Sequence, residues 1–168
     1  MKIRHWASVL LLASVAAWPV ARAPGADQAV TNNASTLKLV TFPGFPTCAT
    51  GAVESGDPAH GPSVVIFLKA AAGCKVPWHW HTPNEHVMMV SDAGKLEMKD
   101  AKPVVLRAGG YALLPSHHVH QFSCAGPCTA FVSADGVFDI HYVDKDGKEI
   151  SADQALGAPK MKPTTIKK

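Results

Sequence analysis

Residues 77–85 are the most informative stretch of this 168-residue chain and have the sequence Pro-Trp-His-Trp-His-Thr-Pro-Asn-Glu. His79 and His81 are two residues apart, so on a β-strand both imidazoles point to the same face of the sheet. Glu85 follows four residues later and comes within reach if the chain bends at Thr82-Pro83. Two imidazoles and a carboxylate on one face suit a divalent transition metal. A histidine from a distant strand would complete the set, and the candidates are His118 and His120.

From residue 36 onward the chain consists of short apolar runs separated by turns, which is typical of β-structure. The runs predict strands at residues 36–42, 63–69, 86–91, 95–98, 104–107, 111–114, 119–123, 129–134 and 137–143. Gly, Pro and Asp punctuate the intervals, and no long segment has helical periodicity. Many short strands favour a sandwich, a barrel or a jelly roll. A flexible lead-in is expected at residues 24–35, and a C-terminal extension at 146–168 that ends in a mobile, Lys-rich tail.

Two groups of residues resemble the two sequence motifs of the cupin superfamily. The first motif has a Gly, five residues, His-x-His, three or four residues and a Glu, and it is matched at Gly73, His79, His81 and Glu85. The second has a Gly, five residues, Pro-x-Gly, two residues, His, three residues and Asn, and it is matched at Gly109, Pro115 and His120. The chain departs from these motifs at three positions: His117 replaces the second Gly, Cys124 replaces the Asn, and the closing Gly of the first motif comes two residues late, as Gly94.

This resemblance implies an all-β fold, a cupin jelly-roll barrel or double-stranded β-helix, that spans about residues 36–145. It also implies one metal ion held by His79, His81, Glu85 and His120, as in germin-like cupins. Only one motif pair is present, so the chain resembles small exported single-domain cupins. Imidazole and carboxylate ligands accept Fe, Mn, Ni, Cu or Zn, and the sequence does not discriminate between these ions.

The remaining histidines can be placed by strand parity. His118 shares the parity of His120 and could face inward, but the motif spacing favours His120 as the fourth ligand. His86 should point to the opposite face of its strand, where it could support the ligands but not bind the metal itself. His117 should lie at the surface. His141 could line the pocket or be an ordinary strand histidine. Aromatic candidates for a cavity wall are Tyr111, Phe122, Phe131 and Phe138.

Trp78 and Trp80 alternate with the proposed ligands, so both indoles should face away from the metal. Exposed tryptophans are costly to leave in water, and something should cover them. The N-terminal strand of the same chain or a second subunit could do so. The second alternative predicts a homodimer.

The net charge of +3 is unevenly distributed along the chain. Residues 1–23 hold three basic residues and no acid, whereas residues 24–159 hold nine basic and 13 acidic residues. Nucleic-acid binding requires clustered basic side chains that displace phosphate counterions. The body of the chain lacks such a cluster, which argues against a nucleic-acid partner.

Residues 1–23 have the pattern of a secretory signal peptide. Lys2 and Arg4 precede an apolar stretch, and Ala21-Arg22-Ala23 has the small-x-small form of a cleavage site. The apolar stretch is shorter than the roughly 20 residues of a membrane-spanning helix. The mature protein is therefore expected in the periplasm or outside the cell, with no membrane association after signal removal.

Four cysteines in an oxidising compartment predict disulfides. Cys124 and Cys128 look like two strand ends that face each other across a Gly-Pro turn, so we expect these two to pair, and Cys48 to pair with Cys74. A zinc site made of the four is the alternative, but the spacings lack two paired C-x₂₋₄-C motifs.

The predicted centre suits three kinds of function. The first is a small-molecule enzyme, an oxidoreductase of dioxygenase type, with isomerase-type chemistry second; in it Glu85 offsets the charge of the ion and could leave the metal to act as a base. The second is a binding or sensing module in which the metal orients a small ligand, and the third is a metal-holding protein. An aromatic-lined cavity that opens onto the metal would indicate a substrate.

Overall fold

The structure is a computed structural model that describes residues 29–157, and nearly all the regular structure in them is β-strand. The elements are β1 (Ala49–Gly56), β2 (Val64–Ala70), β3 (Lys75–Trp80), β4 (Glu85–Ser91), β5 (Ala93–Met98), β6 (Val104–Arg107), β7 (Tyr111–Leu114), β8 (His120–Ser123), β9 (Cys128–Ala134), β10 (His141–Val143), β11 (Glu149–Ile150) and the short helix α1 (Ala152–Ala155).

The strands form two antiparallel sheets. One has five strands in the order β1-β2-β9-β4-β7, and the other has six in the order β11-β10-β3-β8-β5-β6. Consecutive strands often belong to different sheets, as β3 and β4 do, so the chain crosses repeatedly from one sheet to the other. The predicted all-β double-stranded β-helix is confirmed.

Alternating burial along the strands places the core between the sheets. In β9 every second residue is buried, from Cys128 through Ala130 and Val132 to Ala134. Leu96 and Leu114 are among the most deeply buried side chains and pack in the same core. Full burial of a leucine side chain contributes roughly 1.5–3 kcal/mol, so this interior is the main source of stability.

Strands β3 and β8 are hydrogen-bonded neighbours, and their register places His79 directly opposite His120. A bulge between Val76 and His79 shifts the register of β3. Because of this bulge, both residues face the interior although they are three positions apart. The two predicted motifs thus meet at one point in the six-stranded sheet.

Several strand predictions differ from the structure. Residues 36–42 make only an isolated bridge between Val40 and Gly51, and the real first strand is β1. That strand was missed because its sequence, ATGAVESG, is rich in small residues with low β propensity. Strand β3 was also absent from the predicted runs. The run at 137–143 shortens to β10, because the residues before it contact the turn between β3 and β4 instead of a neighbouring strand.

Two disulfides join Cys48 to Cys74 and Cys124 to Cys128, as predicted. The first ties the segment before β1 to the turn before β3, and the second closes the turn between β8 and β9. Two disulfides are typical of proteins outside the reducing cytoplasm.

The predicted signal peptide at residues 1–23, most of the Lys-rich tail and the first part of the lead-in lie outside the described residues. Within residues 29–157, no helix has the length and apolar character needed to cross a bilayer.

Candidate metal centre

Four buried side chains converge inside the barrel: His79, His81, Glu85 and His120. None is more than 7% exposed, and one ligand atom from each lies within 4.8 Å of the others. The carboxylate oxygen Oε2 of Glu85 lies 3.1 Å from Nε2 of His120 and 3.4 Å from Nε2 of His81. His79 lies on β3 and His120 on β8 of the six-stranded sheet, and His81 directly follows β3. Glu85 is the first residue of β4 in the other sheet.

The three imidazoles share one hydrogen-bond pattern, in which each Nδ1 lies against a backbone carbonyl. The pairs are His79 with Pro77 O at 2.6 Å, His120 with His118 O at 2.8 Å, and His81 with Asp139 O. A carbonyl only accepts, so in each neutral ring Nδ1 carries the hydrogen and Nε2 keeps its lone pair. Such contacts fix the tautomer of metal-binding histidines and orient the ring.

The electrostatics favour neutral rings at His79 and His81 beside an ionised Glu85 carboxylate. Burial lowers the pKa of His79 well below its ordinary value, with repulsion from His120 and His81 adding to the effect, and burial also lowers the pKa of His81. Burial would raise the pKa of Glu85, but the surrounding imidazoles outweigh it and lower the pKa to about 2. Neutral histidine and ionised glutamate are the forms that ligate metals.

The group fits a cation better than it fits hydrogen bonding among its own members. Nε2 of His81 and Oε2 of Glu85 are buried and have no hydrogen-bond partner among the described residues. Leaving such atoms unpaired costs about 1–3 kcal/mol each, and more for a charged group. A divalent ion accepts all four lone pairs at once, so the donor set matches a transition metal.

A cluster of loop residues holds the turn between His81 and Glu85. The backbone N–H of Asn84 donates to Asp135 at 2.8 Å, and its side-chain amide donates to the same carboxylate at 2.6 Å. The amide oxygen of Asn84 accepts from the backbone N–H of Ser116 at 2.9 Å. Three loops are thus joined at one end of the barrel, and the predicted bend at Thr82-Pro83 is fixed in place.

Asp139 supports the same turn from the segment before β10. Its carboxylate accepts a hydrogen bond from the backbone N–H of Thr82 at 2.7 Å, and its carbonyl accepts from His81. Sequence reasoning missed both Asp139 and Asp135. Neither is near the histidine motif in the sequence, and a single aspartate before a strand carries no distinctive pattern.

Trp80 is covered by two histidines of its own chain. The ring of His141 stacks on it at 3.9 Å between centroids, with 5° between the planes, and His117 stacks at 4.4 Å and 24°. His117 lies at the surface with φ of 61°, so it keeps the left-handed backbone of the motif glycine it replaces. Trp80 therefore needs no second subunit to cover it, and the homodimer stays a prediction.

His141 offers a test of the electrostatics outside the metal centre. Its Nδ1 lies 3.0 Å from Glu149 and its Nε2 lies 3.2 Å from Asp139. Partial burial favours the neutral ring, but the hydrogen bonds to these carboxylates together outweigh it and raise the pKa of His141. The folded protein holds this proton more tightly than the unfolded chain. The resulting stabilisation is present below the unfolded pKa and is lost as the pH rises through the folded pKa.

We expect the imidazole of His141 to titrate by NMR with a midpoint above the ordinary histidine value of about 6.5. Glu149→Gln should lower that midpoint, because it removes one of the two carboxylates. Glu54→Gln, a change in β1, is the matched control and should leave it unmoved. A midpoint at or below 6.5 in the unmodified protein would contradict the assigned contacts.

The other candidate residues lie in different places. His86 faces outward, and its Nδ1 lies 2.7 Å from the hydroxyl of Tyr111. Tyr111 is 55% exposed, and Phe131 packs against Phe67 on the outer face of the five-stranded sheet, so neither of these two candidates is part of the cavity wall described below. His118 precedes β8 in a turn, where strand parity does not apply, and its ring does not join the four ligand atoms.

A cavity of about 50 Å³ adjoins the four side chains inside the barrel. Apart from those four, its wall is made of apolar residues: Phe42, Phe45, Ala49, Ile66, Leu68, Val76, Val87, Leu96, Leu114, Phe122, Ala130, Val132 and Phe138. Phe122 and Phe138 were among the aromatic candidates for this wall. Phe138 stacks on the ring of His81 at 4.7 Å between centroids.

The segment before β1 contributes two phenylalanines that sequence reasoning missed. Phe45 lies 6.2 Å from Phe42 and 6.0 Å from Phe138, measured between ring centroids. The hydroxyl of Tyr142 donates to the carbonyl of Gly44 at 2.9 Å and fixes this segment against the barrel. The aromatic wall thus depends on a contact across 98 residues of sequence.

No protein-family model matches the sequence, and no curated protein matches it significantly. Solved structures do match its backbone. One is a candidate acetylacetone dioxygenase from Methylibium petroleiphilum, with TM-score 0.58 and 17% identity over 78% of this chain and 96% of that one. Another is the DMSP lyase DddQ from Ruegeria pomeroyi, with TM-score 0.53 and 17% identity over 76% and 73%. A third is KdgF from Halomonas sp., with TM-score 0.53 and 13% identity over 64% and 94%.

Identities this low carry no inference about activity, but the backbone agreement is independent of the sequence motifs. The neighbours are cupin β-barrels, and each of the three matches 64–78% of this chain. The chain therefore has the double-stranded β-helix fold of the cupin superfamily.

Proposed function

We propose that this protein is an exported mononuclear metalloprotein that acts on a small organic molecule as an oxidoreductase of dioxygenase type. The observation that carries the proposal is the position of the four ligand side chains beside an apolar cavity. A site that only stored metal or stabilised the fold would have no use for such a space. Pockets of this kind, with few polar groups, are typical of small-molecule sites.

His79, His81 and His120 supply neutral nitrogen donors, and Glu85 supplies one negative charge that offsets the charge of the ion. When bound, the ion polarises an oxygen ligand and, if redox-active, supplies electrons to dioxygen. The carbonyls behind the imidazoles keep the rings in position, and the phenylalanines make the adjoining cavity wall apolar. Fe, Mn, Ni, Cu and Zn all accept this donor set.

The composition of the cavity wall favours oxygenation over isomerisation. Isomerisation requires a group that removes and returns a proton, and proton transfer needs a side chain within hydrogen-bond reach of the substrate. Among the described residues, the only ionisable groups in the wall are the four ligands themselves. Oxygen insertion at a metal places less demand on a separate acid or base. Two structural neighbours, a candidate acetylacetone dioxygenase and a DMSP lyase, support a small-molecule substrate.

The same observation favours one alternative, a binding or sensing module that holds a small ligand on the metal without turnover. A wall without an acid or base is sufficient for binding. Turnover distinguishes the two functions, because an enzyme and a binding module would bind the metal and the ligand equally well.

Oxygen uptake separates the two functions. The mature protein, stripped with a chelator and reloaded with Fe, Mn, Ni, Cu or Zn, is tested in an oxygen electrode against small organic acids, diketones and phenols. We expect uptake that requires both a redox-active ion and one class of substrate, and that is absent with Zn. Full metal loading with no uptake for any ion and substrate would overturn the enzyme proposal and support the binding module.

A further inference from the structure

We propose that the cavity selects a small monoanion, with one anionic oxygen headgroup for the metal and an uncharged apolar body. This inference rests on the proposed binding of a divalent metal and deepens it by naming the class of ligand. It follows from three properties of the cavity: its charge, its lack of spare polar groups and its size.

The charge of the site leaves room for one negative charge. A divalent ion bound to neutral His79, His81 and His120 and to ionised Glu85 has a net charge of +1. The surrounding wall is apolar, so this charge is poorly screened. A monoanionic ligand brings the net charge of the buried site to zero, whereas a neutral ligand leaves that charge positive and a dianion makes it negative.

The wall offers no partner for a second polar group. Beyond the four ligand side chains it contains only Ala, Val, Leu, Ile and Phe. The Nδ1 hydrogens of the imidazoles are already donated to the carbonyls of Pro77, His118 and Asp139. The ring of Tyr142 packs near His79, but its hydroxyl already donates a hydrogen bond to the carbonyl of Gly44. A second carboxylate or amide on the ligand would be desolvated without a compensating hydrogen bond.

The size of the cavity restricts the apolar body to a few atoms. A single water requires about 10–15 Å³ of such space, so a cavity of about 50 Å³ holds roughly four water-sized groups. The rings of Phe42, Phe45 and Phe138 form part of the wall around this space. Short-chain monocarboxylates and small enolates have the right dimensions, whereas sugars do not.

Three ligands of nearly equal length separate these requirements: butyrate, butyramide and succinate. They are titrated into protein loaded with Co(II), and binding is measured by calorimetry and by the visible absorption of the ion. We expect butyrate to bind at least about 10-fold tighter than butyramide, which lacks the charge, and about 100-fold tighter than succinate, which adds a second carboxylate. Succinate binding as tightly as butyrate overturns the inference and leaves metal binding intact. A protein that takes up no Co(II) overturns the proposed function as well.

A pair of variants on β9 tests whether the ligand occupies the cavity. Ala130→Leu fills space inside the barrel, and Ser133→Leu makes the same addition on the outer face of the same strand. We expect Ala130→Leu to weaken butyrate binding at least about 10-fold at unchanged Co(II) content, and Ser133→Leu to have no effect. Equal butyrate affinity in both folded variants overturns the proposal that the ligand occupies the cavity. If Ala130→Leu does not fold, the ligand series decides alone.

Discussion

Alanine at position 81 or 120 is expected to lower the metal content from about one ion per chain to less than a tenth of that. His81 and His120 each contribute one of four ligands, and each Nε2 lies within 3.5 Å of the Glu85 carboxylate. Loss of a group that merely orients a ligand costs roughly 10–100-fold in metal affinity, so loss of a ligand itself costs at least as much. The measurement is elemental analysis of exported, dialysed protein.

The matched control is His117→Ala. His117 belongs to the same histidine-rich segment as His120, but it is exposed and stacks on the outer side of Trp80. Its removal should leave the metal content unchanged, which excludes adventitious binding to surface histidines. If the unmodified protein carries no more metal than His81→Ala, the proposed centre does not exist.

Removal of the Cys48–Cys74 disulfide is expected to lower the free energy of unfolding by about 3.5 kcal/mol. The bond closes a loop of 26 residues, and the cost of opening it is the conformational entropy that the unfolded chain regains. It also anchors the segment that carries Phe42 and Phe45 against the cavity. The measurement is chemical denaturation of the Cys48→Ala/Cys74→Ala variant under oxidising conditions.

The second disulfide serves as the control, because Cys124→Ala/Cys128→Ala removes the same atoms but opens a loop with a separation of only 4 residues. The entropy model then gives a loss of about 2 kcal/mol. Equal losses for both double variants would show that packing around the sulfurs, rather than loop closure, dominates.

Local patterns identified the strands best where a short apolar run is bounded by turn residues. The predicted runs at 104–107 and 111–114 coincide with β6 and β7. Strand β1 was missed because it is held by backbone pairing with β2 rather than by large apolar side chains of its own. Pairing of this kind depends on the partner strand, and propensity within one segment does not report it.

The cavity wall was predicted only in part for a related reason. Parity states which residues share a face, but it does not state which face is inside. Tyr111 and Phe131 lie on strands whose outer faces carry aromatic side chains, so parity alone did not place them. Phe42 and Phe45 lie on no regular strand, and tertiary contacts such as the packing of Phe45 against Phe138 bring them to the cavity.

The sequence by itself determined the four-residue group, because His79 and His81 share a face by the geometry of any strand, and the two motif spacings single out Glu85 and His120. The fold class followed from the same motifs. The tertiary structure decided what surrounds the group: the carbonyls behind the imidazoles, the stack on Trp80 and the apolar cavity. Those features join residues up to 98 positions apart, and contacts over such separations are set by strand register and sheet order rather than by local spacing.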